Sequence, residues 1–242
     1  MTCYDTGMGN YTDAIPTNSK KVLFIGNSAT QRNDIPQTFS RLAQKAGYCV
    51  EASAVLRGGA MLTEYADPTC ARGKMAFDAL ESGAYDIVFL QDNSNCIVSE
   101  ERRAETEAAS KILNDRIRRT GASTYFYVRP PTGKDLFGYD SYSQCLEYDK
   151  LFGKIAEELG ATNVYVNRAF AYVIKHKPDV GLWGPDNAHT SPVGAYLAVC
   201  VFFATVFGTS ATVLDSNDLP NDVARFLQQA ADKIVLEKFI PQ

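Results

Sequence analysis

The chain has 242 residues, 45% of them hydrophobic and 21% charged, a composition that suits one globular domain whose core needs neither metal nor disulfide. Its 24 basic residues against 28 acidic ones give a net charge of −4 with no basic face, which argues against nucleic acid or an anionic membrane as partner. The longest apolar run, 195–207, falls short of the roughly 20 residues a membrane span requires.

Residues 1–19 are polar and turn-rich, with Gly7, Gly9 and Pro16 and no apolar core of a signal peptide, and are expected to form a flexible segment ahead of a single domain at 20–242. The protein is cytoplasmic if Met1 is its native start, and periplasmic or secreted if an export signal has been removed; the sequence leaves both open. The stretch Lys20 to Ser28 holds the first strand, Val22 to Ile25, apolar on both faces as in a parallel sheet and closed by Gly26. Asp34-Ile35-Pro36 opens a helix that runs to Ala46, with Phe39, Leu42, Ala43 and Ala46 on one side and Gly47 ending it. A second strand spans Cys49 to Leu56 and stops at Arg57-Gly58-Gly59. Short helical pieces follow, clearest at Lys74 to Leu80. Asp86 to Gln91 is a third strand that ends in the polar cluster Asp92-Asn93-Ser94-Asn95.

Ser99 caps a long helix with Glu100 and Glu101 in its first turn and Arg116, Arg118 and Arg119 in its last, each sign suited to its end of the helix dipole. Its expected core stripe is Ala104, Ala108, Ile112, Leu113 and Ile117. Ser123 to Val128 is a fourth strand. A loop with Phe137, Gly138, Tyr139 and Tyr142 leads to a helix through Leu151, Phe152, Ile155 and Leu159, then to a fifth strand at Asn163 to Val166 and a helix over 169–177. Pro192 sits in the first turn of an apolar helix that runs to Phe207, and a last amphipathic helix carries Val223, Phe226, Leu227, Ala230 and Ile234. Strands alternating with helices predict a three-layer α/β/α domain around about five parallel strands.

Six cysteines (Cys3, Cys49, Cys70, Cys96, Cys145, Cys200) show no C-x-x-C and no metal-ligand spacing. Cys200 reads as a core residue, whereas a bridge among Cys70, Cys96 and Cys145 stays open for an exported protein. No cofactor and no metal are expected, since Asp92 and Asp186 match no metal motif. His176, between Lys175 and Lys177, reads as a surface residue.

Four polar spots fall at the carboxyl edge of the predicted sheet, where such sheets bind their ligands. They are Ser28 after the first strand, Gly59 after the second, Asn93 after the third, and Asp186 with His189 before the apolar helix. Acyl transfer by a serine needs a hydroxyl, a base, a group that orients the base, and donors for the developing oxyanion. Ser28, His189 and Asp186 supply the first three. The backbone N–H groups of Ser28 and Gly59 and the amide of Asn93 supply the donors, with Gln91 as an alternative. Each string alone also reads as a plain turn: Gly26-Asn27-Ser28 as a strand-to-loop cap, Gly58-Gly59 as a bend.

In order and together, these strings resemble the four blocks of the SGNH (GDSL-like) hydrolase superfamily. Gly26-Asn27-Ser28 is similar to the family's Gly-Asp-Ser, Gly59 to its second-block glycine, Gln91-Asp92-Asn93-Ser94 to Gly-x-Asn-Asp, and Asp186-Asn187-Ala188-His189 to Asp-x-x-His. The resemblance extends from Lys20 to Gly208 and is strongest toward a bacterial branch with Leu-Phe-Ile-Gly-Asn-Ser as first block. It implies a flavodoxin-like fold and hydrolysis of short-chain acyl esters, O-acetyl groups on carbohydrate among them, through a Ser28-His189-Asp186 triad and an acyl-enzyme. The departures are Asn27 for the family's Asp and Gln91 for its Gly. They leave open a carbohydrate-binding protein without turnover. A phosphate binder lacks support, since no G-x-G-x-x-G follows the first strand. The loops at this edge mix rings with polar side chains, which suits a sugar better than a long acyl chain, with Trp183 and Tyr139 as expected contacts. The opposite possibility, that these rings pack inward and pin the loops, is equally compatible with the sequence.

Overall fold

A computed structural model describes residues 19–241. Most of the expected N-terminal segment lies outside that range, as does Cys3; Ser19, assigned to the segment, instead opens the first strand. In chain order the elements are β1 (Ser19–Gly26), α1 (Ser28–Gln31), α2 (Ile35–Lys45), β2 (Cys49–Leu56), α3 (Leu62–Ala66), α4 (Ala71–Ser82) and β3 (Ile87–Leu90). Then come α5 (Glu100–Arg119), β4 (Ser123–Val128), α6 (Ser141–Leu159), β5 (Thr162–Tyr165), α7 (Val166–His176), α8 (Pro192–Phe207) and α9 (Asn221–Val235).

The five strands form one parallel sheet in the order β2-β1-β3-β4-β5. The apolar run of β1 divides by period two between the two faces of that sheet. Val22 and Phe24 pack with Phe89 and Tyr127 against α2, α7, α8 and α9, whereas Leu23 and Ile25 pack with Val88, Leu90 and Phe126 against α3, α4, α5 and α6. β1 has β2 on one side and β3 on the other, so the chain leaves their carboxyl ends in opposite directions and a crevice opens there. Ser28 is the second residue beyond Gly26, the last residue of β1.

Two expectations need correction, and the state of the cysteines, left open by the sequence, is described with them. The fifth strand ends at Tyr165, and Val166 already begins α7, where its buried side chain faces the core as well from a helix as from a strand. Helix α5 is rotated from the expected stripe. Leu113 and Ile117 are buried, but Ala104, Ala108 and Ile112 face outward and Thr106, Ala109 and Ser110 face in. Its inner face is partly polar because Thr106 donates to the buried carboxylate of Asp92, 2.7 Å away. Finally, Cys49, Cys70, Cys96, Cys145 and Cys200 are all free thiols; Cys96 is buried, Cys145 lies inside α6, and Cys200 is in the core as expected.

Candidate active site

Ser28 is the first residue of α1, and the turn that presents it is fixed from three sides. Asn27, only 3% exposed, caps the helix by accepting from the N–H of Ala29 at 3.0 Å. The Asn27 amide donates to the carbonyl of Ala60 at 2.8 Å, and its own N–H donates to Oε1 of Gln91 at 3.0 Å. A carboxylate at position 27 could not make the bond to Ala60, since it has no proton to give. Asn27 thus ties the turn after β1 to the loop after β2. Gly26 is required where it stands: a Cβ there would lie 2.8 Å from Oε1 of Gln91 and 3.2 Å from Oγ1 of Thr30.

Asp186 and His189 sit in a closed loop ahead of α8. Trp183 bridges to Thr190, the Gly184 N–H donates to the carbonyl of His189, and Ser191 caps α8 through the N–H groups of Val193 and Gly194. Asp186 folds this loop on itself: Oδ1 accepts from the N–H groups of Ala188 and His189, both at 3.0 Å. Oδ2 lies 2.8 Å from Nδ1 of His189, and Nε2 of the same ring lies 2.9 Å from Oγ of Ser28. The two backbone N–H groups and the imidazole hold the Asp186 carboxyl well below the usual carboxylate range. An ionised carboxylate only accepts, so the proton sits on Nδ1 and leaves Nε2 free to accept from the Ser28 hydroxyl. Asn33, in the left-handed region at φ 58°, clamps the two halves together by donating to the carbonyl of Thr190 at 2.8 Å. Arg32, four residues beyond Ser28, lies 3.4 Å from Oδ2 of Asp186. The sequence reading missed both Arg32 and Asn33, since each is a polar residue in a loop with no motif around it.

The N–H groups of Ser28 and Gly59 find no acceptor among the described residues. Gly59 has φ +70°, a conformation that glycine adopts without strain. Asn93 donates one amide hydrogen to the carbonyl of Gly59 at 3.0 Å, and its Oδ1 accepts from the N–H of Asn95 at 3.2 Å. Its second amide hydrogen has no acceptor among the described residues. Asn93 is in turn placed by Asp92, 1% exposed, whose Oδ1 accepts from the N–H groups of Asn93 at 2.7 Å and Leu62 at 2.9 Å. Burial raises the Asp92 carboxyl against these stabilising bonds.

Gln91 does not fit the alternative donor role. It is 1% exposed, its Oε1 accepts from Asn27 N–H and from the Thr30 hydroxyl at 2.9 Å, and its amide donates to the carbonyl of Asp92. Every one of these partners is protein, and the side chain is closed off from solvent. Trp183 and Tyr139 each have a packing role in the loops, the alternative the sequence left open. The indole N–H of Trp183 donates to the carbonyl of Pro131 at 3.0 Å, and its ring lies so close to Gly133 that a Cβ there would come within 2.8 Å. It stands edge-on to Phe170. Trp183 therefore joins two loops. Tyr139 is half-buried and packs on the core.

The hydrogen-bonded line from Ser28 through His189 to Asp186 lies at the switch point of a parallel sheet, the edge where such sheets bind their ligands. No family model matches the sequence, and no curated protein matches it. Solved structures do. A protein from Slackia heliotrinireducens, described as a putative SGNH hydrolase, is similar at 25% identity and TM-score 0.65, over 76% of this chain and 97% of its own. A DUF4886 family protein from Bacteroides uniformis matches at 17% identity and TM-score 0.77, over 91% of this chain and 96% of its own. An acetylxylan esterase from Geobacillus stearothermophilus matches at 17% identity and TM-score 0.60, over 80% and 97%. Catalytic mutants of that esterase replace a serine, an aspartate and a histidine, the last two three residues apart. The chain has the SGNH hydrolase fold.

Proposed function

We propose that the chain is a serine esterase that removes short acyl groups, acetyl foremost, from carbohydrate. The observation that carries this reading is the unbroken line from Oγ of Ser28 through His189 to Asp186, with links of 2.9 and 2.8 Å. Ser28 attacks the ester carbonyl while Nε2 of His189 takes its proton. The tetrahedral oxyanion accepts from the N–H groups of Ser28 and Gly59 and from the free amide hydrogen of Asn93. Collapse expels the alcohol, protonated by His189, and leaves an acyl group on Ser28. Water activated by the same imidazole then releases the acid. Asp186 keeps the proton on Nδ1 throughout and stabilises the imidazolium.

Two further points support the choice of substrate. One solved neighbour is an acetylxylan esterase. The other is loop composition, since 92–96 and 132–143 lack the run of Leu, Ile and Val that an acyl-chain groove needs. The reading without turnover rested on Asn27 and Gln91, and both side chains have partners that hold the Ser28 turn. The test compares kcat/KM for p-nitrophenyl acetate, p-nitrophenyl octanoate and an acetylated oligosaccharide. Acetate well ahead of octanoate, with the saccharide ahead of both, is the expected order. Preference for octanoate would remove the carbohydrate reading and leave the triad.

A further inference from the structure

The loop from β4 to α6 is built as a stiff arm. Gln144, fully buried on the first turn of α6, accepts from the N–H of Thr132 at 2.9 Å and donates to the carbonyls of Lys134 and Tyr139. Thr132 also donates to the Lys134 carbonyl, and Ser141 to that of Thr132. At the tip, Leu136 and Tyr139 exchange both backbone hydrogen bonds, at 2.9 and 3.0 Å, around Phe137 and Gly138. These two residues have φ +54° and +84°, the signature of a type I′ turn.

The first central position of that turn favours Asn, Asp or Gly, and a bulky ring there is a conformational outlier. Phe137 gains no burial in exchange, since it is 50% exposed. Around it in the loop stand the exposed charged residues Lys134, Asp135 and Asp140. Folding alone would not choose such a residue, and strain at an exposed position points to a ligand. A bilayer would want apolar neighbours beside the ring. A sugar wants what is there, an apolar face bordered by hydrogen-bonding groups.

The arm is also tied to the catalytic loop. The Gly133 N–H donates to the carbonyl of Asn187 at 2.8 Å, within the Asp186–His189 turn, and Trp183 reaches across to Pro131. β4 lies two strands from β1 on the same edge, so its base stands roughly 10 Å from that of the Ser28 turn. The base of the arm therefore stands beyond the reach of the acyl group, on the edge of the sheet that holds Ser28.

We propose that Phe137 is a stacking platform for a sugar ring of the substrate, adjacent to the ring that carries the ester. The proposal rests on the esterase reading. Its test uses Phe137→Ala and Phe137→Asn, with p-nitrophenyl acetate and an acetylated xylo-oligosaccharide as substrates. Both variants raise KM for the saccharide about tenfold, the size of one lost stacking contact. Both leave kcat/KM for p-nitrophenyl acetate within twofold, and Phe137→Asn melts no lower than wild type because asparagine suits the turn. Three results overturn the proposal while the esterase reading survives: unchanged saccharide kinetics in both variants, equal losses on both substrates with a lowered melting temperature, or a wild type that cleaves the acetate but not the saccharide. A wild type that cleaves neither removes the esterase reading, and this proposal with it.

Discussion

Replacing Gln91 with alanine separates an internal brace from an oxyanion donor. The side chain accepts two hydrogen bonds, from Asn27 N–H and the Thr30 hydroxyl, and donates one to the Asp92 carbonyl, all in a site that is 1% exposed. Its removal leaves three buried polar groups without a partner, at about 1–3 kcal/mol each. Water entering the vacated space satisfies part of the deficit, so the lower end of the sum, about 3 kcal/mol, is the expected loss. In a chain of this length each kcal/mol lowers Tm by about 2–4 °C, hence a fall of about 6–12 °C. Thermal unfolding followed by circular dichroism reads this directly. Turnover of p-nitrophenyl acetate falls as well, because the Ser28 turn loosens, but by less than in Asn93→Ala. An unchanged Tm with a 100-fold or greater loss of kcat would make Gln91 a donor and refute the assignment.

Asn93→Ala is expected to lower kcat by about 100- to 1000-fold with KM little changed, since its amide acts on charge that develops only in the transition state. Steady-state kinetics on p-nitrophenyl acetate check this. His189→Ala loses as much kcat as Ser28→Ala, because members of one catalytic unit are not additive, whereas Asp186→Ala loses less. Equal losses for Asp186 and His189 would overturn that division of roles. The Asp186 carboxyl is depressed in the folded protein, so its contribution is in place above the ordinary value of about 3.9 and disappears only as pH falls through the lowered one. Asp186 therefore adds no acid-side inflection to kcat/KM between pH 4 and 8. An inflection in that window that disappears in Asp186→Ala would contradict this. Asn27→Asp brings a carboxylate against the Ala60 carbonyl in place of the 2.8 Å hydrogen bond, and is expected to lower both Tm and kcat. Unchanged values would mean that Asn27 only caps α1.

The sheet was legible because β1, β3 and β4 are apolar on both faces and alternate with capped helices; Ser99, Pro192 and Gly208 marked helix ends that the structure places within a residue. The Asp-x-x-His spacing was legible for a local reason, since three residues is the reach of the Asx turn that Asp186 makes on Ala188 and His189. Long-range pairings were not. Nothing in Gln91-Asp92-Asn93 reveals which amide points inward, because that depends on Thr30 and Asn27, more than 60 residues earlier. Arg32 and Asn33 carry no motif, and their partners Asp186 and Thr190 lie at the far end of the chain. The rotation of α5 had a similar cause, as burying Thr106 makes sense only beside Asp92. The packing of Trp183 was not legible because composition records that a ring is present, not that Gly133 lies against its face.

Covalent labelling by a fluorophosphonate, located by peptide mass spectrometry, tests the central claim most directly. The reagent phosphonylates only a serine whose hydroxyl is activated by a base and whose new oxyanion is stabilised. Stoichiometric modification of Ser28 in the wild type, lost in His189→Ala and much slowed in Asn93→Ala, is the expected result. A wild type that stays unlabelled at Ser28, or a His189→Ala variant that labels as fast as wild type, would contradict the proposed esterase.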